Sequence, residues 1–160
     1  MLNEIISRLP DGKAENDLAR YLNKLPEKER TMFIETLLNN TVDSLNGVGF
    51  RLIPRVIRDK EMLIRFLNQG LEKKYISGIK PWINATVSGL GYKKLLKHLL
   101  KIAETNPDWI AYAWYQLVPL VKREAPEQIQ YLQKIEKIVD DYLCNELQDF
   151  WLRNKQAVPI

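Results

Sequence analysis

Apolar residues recur along this chain at intervals of three and four, the period of a helix with one buried face, while strand-like alternation is almost absent. The longest stripe lies near the C-terminus. Ile129, Leu132, Ile135, Val139, Tyr142, Leu143 and Phe150 follow one face, and Ile138 and Leu147 widen it. Three prolines mark helix starts, because a proline at the first helical position gives up an N–H that has no partner there. Pro26 precedes Glu27 and Glu29, acids suited to the positive end of the helix dipole. Pro107 follows Asn106, an N-cap residue, and Pro126 precedes Glu127. These signals predict helices near 2–9, 13–24, 26–45, 49–58, 60–74, 79–88, 91–104, 107–122 and 126–153. Pro54 and Pro119 fall inside two of them and should kink or end them. As one helix, 126–153 would span about 42 Å. It would brace several shorter helices through a single packing face; a homodimer seam is the alternative.

Two segments of the chain resemble each other. Asn46-Gly47-Val48-Gly49-Phe50 recurs 42 residues later as Ser88-Gly89-Leu90-Gly91-Tyr92. Upstream, Phe33, Ile34, Leu37 and Leu45 match Tyr75, Ile76, Ile79 and Val87; downstream, Ile53 and Ile57 match Leu95 and Leu99. Each unit, roughly 33–74 and 75–122, reads as helix, Gly-x-Gly-aromatic corner, helix, turn and helix. Glycine suits such a corner because it accepts the left-handed conformation that closes a helix. The expectation is therefore a positive φ at Gly47 or Gly49 and at Gly89 or Gly91, with 33–57 superposing on 75–99. No strand precedes either corner and the third glycine of a dinucleotide fingerprint is missing, so the pattern does not suit a dinucleotide site. The run Gly91-Tyr92-Lys93-Lys94-Leu95-Leu96-Lys97-His98-Leu99-Leu100-Lys101-Ile102-Ala103, the Asn106-Pro107-Asp108 turn, and the helix from Trp109 to Lys122 with its small Ala111 and Ala113 together resemble one HEAT-type repeat. The segment 49–74 matches less well, with a shorter turn around Asp59 and no Asn-Pro-Asp. The resemblance implies stacked helical hairpins and a binding-scaffold role, and it transfers no functional residues.

Composition narrows the class. The 160 residues are 46% hydrophobic and 28% charged, which suits one folded helical domain and excludes a disordered tail or a disulfide-stapled miniprotein. Cys144 is the single cysteine. No apolar run has the length of a spanning helix, and Met1 to Pro10 carries Glu4 and no basic leader, unlike a signal peptide. A soluble, cytoplasmic protein without membrane attachment is the expectation.

Charge is placed unevenly. The net +4 hides a middle segment, 46–105, with 12 basic and 4 acidic side chains between mildly acidic ends. Arg51, Arg55 and Arg58 are spaced to share one face of helix 49–58, opposite Phe50, Ile53 and Ile57, with Leu52 and Val56 extending that apolar side. Lys93, Lys97 and Lys101, with Lys94 beside them, do the same on helix 91–104. Stacked repeats would join the two rows. Such a face would attract an acidic protein, or phosphates of a nucleic acid, although no aromatic residues are interleaved to stack on bases. A merely solvated helix face has the same composition.

Catalytic chemistry finds no foothold. His98 is the only histidine, between the lysine row and the apolar face, where packing or hydrogen bonding is its ordinary use. No histidine pair offers a zinc site, and no spacing joins His98 to Ser77, Ser88 or Cys144 as a nucleophile. Cys144 lies near Asp140, Asp141 and Glu146, a setting that does not activate a thiol. Adjacent Asp140 and Asp141 diverge on a helix and cannot serve one reacting atom. Trp109, Tyr112, Trp114 and Tyr115 suit inter-helix packing, or a protein-binding hot spot. The sequence thus predicts an all-α chain: stacked hairpins in a short HEAT-like superhelix with a long C-terminal helix. It predicts a non-enzymatic binding module with no cofactor, no metal and no catalytic residue. An acidic protein partner is the first expectation, nucleic acid the second, and a helical enzyme or ligand binder with an unrecognised pocket the third.

Overall fold

The computed structural model describes residues 2–160. Among the described residues there are ten α-helices, two short 3-10 turns and no strands. They form two compact units, residues up to Leu63 and residues from Ile64 onward.

The first unit holds α1 (Leu2–Ser7), α2 (Gly12–Leu22), α3 (Glu27–Leu38), α4 (Asp43–Val56) and the start of α5 (Lys60–Glu72). The Asp11 carboxylate opens α2 by accepting from the Ala14 N–H at 3.1 Å. Leu18, Leu22, Ile34, Val48, Leu52, Ile53 and Val56 are fully buried where α2 and α3 meet α4. The expected helix 26–45 ends early. Asn46 Nδ2 donates to the carbonyls of Leu37 (2.9 Å), Leu38 (3.2 Å) and Asn40 (2.8 Å), satisfying groups that a helix end leaves unpaired. The chain then turns through 39–42, and α4 runs straight through Gly47 and Gly49. Those glycines form no corner and have no positive φ. Gly49 instead permits close approach: a Cβ there would stand 2.9 Å from Leu38 Cδ2 and 3.3 Å from Leu37 Cβ on α3.

The second unit takes α5 from Ile64 and adds α6 (Ile79–Leu90), α7 (Tyr92–Thr105), α8 (Pro107–Glu124), α9 (Ile129–Tyr142) and α10 (Gln148–Ala157). Here the corner is real, with Gly91 at φ 77° between α6 and α7. Segments 33–57 and 75–99 thus break at different places, after Leu38 and at Gly91, and do not share a helix–corner–helix course. Pro107 starts α8 as expected, while Pro54 and Pro119 lie inside α4 and α8. α7 packs against α8 as a hairpin, and both pack on α9.

The expected long helix 126–153 is three pieces. After the 3-10 turn Pro126–Gln128, α9 stops at Tyr142, and Leu143 and Cys144 are extended with ψ of 138° and 152°. A second 3-10 turn, Asn145–Leu147, leads into α10, which packs back against α8. The physical reason is burial. Leu143 and Trp151 both enter the core, while Tyr142, assigned above to the apolar stripe, is 66% exposed. Trp114 of α8 meets Trp151 edge-on with ring centroids 5.0 Å apart, and Tyr112 meets Phe150 at 4.9 Å. A single continuous helix along 126–153 is therefore absent.

Candidate functional site

α7 buries Leu95, Leu96, Leu99 and Ala103 and exposes Lys93, Lys94, Lys97 and Lys101 on its outer side. Among the described residues none of these four lysines forms an ion pair. Their placement does nothing for the helix itself. Lys93 and Lys94 sit in a first turn that has no acidic residue, where the dipole disfavours cations by about 0.3–1 kcal/mol each. Lysines three and four apart add repulsions of a few tenths of a kcal/mol per pair.

Beside this row lies a groove of about 310 Å³, lined by Ile64 from α5 and by Lys94, Lys97, His98 and Lys101 from α7. No carboxylate lines it. His98 is half-buried, and its Nε2 lies 2.7 Å from Asn68 Oδ1. A carbonyl oxygen can only accept, so the proton sits on Nε2 and Nδ1 carries the free lone pair. Burial, and then the positive charge of Lys101, pushes the imidazole below its ordinary pKa.

The three arginines belong to the first unit and are differently used. Arg51 reaches Glu15, a buried residue, with Nη2–Oε2 at 2.9 Å and Nε–Oε1 at 3.0 Å. That pairing raises the Arg51 pKa, chiefly through the hydrogen bond, and ties α4 to α2. Arg58 lies beyond the end of α4; its Nη1 donates to Asn23 Oδ1 at 3.0 Å, and its backbone N–H donates to Glu27 Oε1 at 2.7 Å. Arg55 is exposed on α4.

Other clefts are mixed in charge. One of about 240 Å³ in the first unit holds Arg8, Arg20 and Lys24, but Asp17 lies 3.6 Å from both arginines. Another of about 580 Å³ sets Lys155 beside Glu136, whose carboxyl burial pushes up. Asp140 accepts from Trp151 Nε1 and from Lys155 Nζ, both at 2.6 Å, so it serves the α9–α10 junction. Cys144 is exposed and free.

No family model, curated protein or solved structure matches this chain. Among the described residues no group of three or more His, Cys, Asp or Glu side chains gathers to hold a metal ion, and no helix is long and apolar enough to cross a membrane. The sequence singled out the four lysines and placed His98 at their edge. It missed Ile64 and Asn68. These share a face of α5 at four-residue spacing, but nothing local in the sequence pairs that face with α7.

Proposed function

We propose that this chain is a non-enzymatic binding module that docks an acidic segment of a partner protein on the lysine face of α7. The observation that supports it most is that four neighbouring lysines lack ion-pair partners and that three of them, Lys94, Lys97 and Lys101, line a groove free of carboxylates. Of the arginines of the first unit, Arg55 is exposed, whereas Arg51 is held by Glu15 and Arg58 by Asn23. The packed α7–α8 hairpin, joined at Asn106-Pro107-Asp108, accords with a HEAT-like scaffold role. Nucleic acid is the second reading, favoured only by the same lysines.

The test is fluorescence anisotropy of a labelled oligo-aspartate peptide, compared with duplex DNA. The triple variant Lys94→Glu, Lys97→Glu, Lys101→Glu is expected to weaken peptide binding by about a hundredfold, taking about 1 kcal/mol per reversed charge. Stability should move by less than about 0.5 kcal/mol, since these are surface positions. Arg51 is left intact because reversing it would set two carboxylates against each other. Tighter binding of DNA than of the peptide, with affinity falling steeply as salt rises, would favour the second reading. Unchanged peptide binding by the triple variant would leave the face as merely solvated.

A further inference from the structure

We infer that His98 is the proton-sensing element of the α7 groove, so that an acidic segment seated there is bound more tightly as the pH falls. The inference rests on the docking reading above and specifies its regulation. Geometry carries it. The imidazole stands in the groove wall with Lys94, Lys97 and Lys101 as the only other ionisable groups of the lining. From α5, Ile64 lines the groove and Asn68 holds the ring from behind it, neither of which titrates, and no residue of α6, α8 or α9 enters the lining.

The hydrogen bond decides how protonation proceeds. Asn68 Oδ1 accepts from Nε2–H whether the ring is neutral or cationic. A proton taken from solvent therefore adds to Nδ1 without breaking any bond. The existing bond becomes charge-assisted and strengthens. What opposes protonation of the ring is burial and then the field of Lys101. A carboxylate seated among the lysines cancels that field and supplies a counter-charge. Binding therefore draws the imidazole pKa upward. By linkage, protonation of His98 must raise affinity by the same factor.

Two measurements on the full chain test this. Because His98 is the only histidine, its ring proton resonance gives an unobscured NMR titration. The titration midpoint is expected below about 6.5 in the free protein and to rise when oligo-aspartate saturates it. Anisotropy with the same peptide between about pH 8 and 5 should show about a fivefold gain in affinity. The peptide's own carboxylates titrate near 3.9 and stay ionised through most of this range. In His98→Gln the gain should vanish. Binding that is independent of pH, or equally pH-dependent in His98→Gln, would overturn the inference and leave the docking reading standing. A midpoint that does not move on saturation would overturn it even if the variant folded poorly. Absence of peptide binding at every pH would overturn both.

Discussion

Gly70→Ala is expected to lower the stability of this protein by about 2 kcal/mol, against the usual benefit of alanine in a helix. Gly70 lies buried in α5 under Trp82 of α6. A Cβ at Gly70 would run into Trp82 Cγ and stand 2.6 Å from its Cβ and 2.8 Å from its Cδ1. These are not the far end of a flexible chain. Trp82 is 5% exposed, and its Cβ moves only if α6 moves. Intrinsic propensity favours alanine over glycine by about 1 kcal/mol, while overpacking of this kind costs about 1–3 kcal/mol or more. Three contacts well inside van der Waals distance place the clash at the upper end, so it wins. Urea unfolding should show a lower midpoint at an unchanged slope. A midpoint equal to or above that of the parent would mean that α5 and α6 do not approach this closely.

Trp151→Ala should cost more, about 3–5 kcal/mol by the scale of buried aromatic truncations. Trp151 is 1% exposed, stacks edge-on with the fully buried Trp114, and its Nε1 donates to Asp140 at 2.6 Å. Truncation removes the side chain that holds α10 against α8 and leaves a void beside Trp114. Hydrogen exchange should then show α10 opening before α7 and α8 unfold. Trp151→Phe keeps a ring in place and loses the hydrogen bond, so its cost should be milder, nearer 1 kcal/mol. Unaltered protection of α10 in Trp151→Ala would contradict its placement here.

These two sites show what the sequence could and could not reveal. The helix-rich character, the outward lysines of α7 and the Asn106-Pro107 start of α8 follow from local rules, and the structure has them. Breaks set by distant partners do not follow from local rules. Asn46 ends α3 by reaching back to Leu37 and Leu38, so the turn lies earlier than the glycines next to it indicate. The break at Leu143–Cys144 contains no glycine or proline. It exists because Leu143 and Trp151 gain burial, a tertiary effect that overrides a good helical stripe. Glu15 and Arg51 are 36 residues apart, and no local pattern announces their pairing. The candidate groove was half legible. Lys94, Lys97, His98 and Lys101 share one helix and declare themselves by spacing, while Ile64 and Asn68 enter only through the packing of α5 on α7.

The most direct test of the account is a map of backbone amide shifts as oligo-aspartate is added to isotopically labelled protein. Perturbations should centre on Lys94, Lys97, His98 and Lys101, extend to Ile64 and Asn68, and fade as salt rises. Perturbations centred instead on Arg8, Arg20 and Lys24, or spread evenly over all exposed cations, would contradict it.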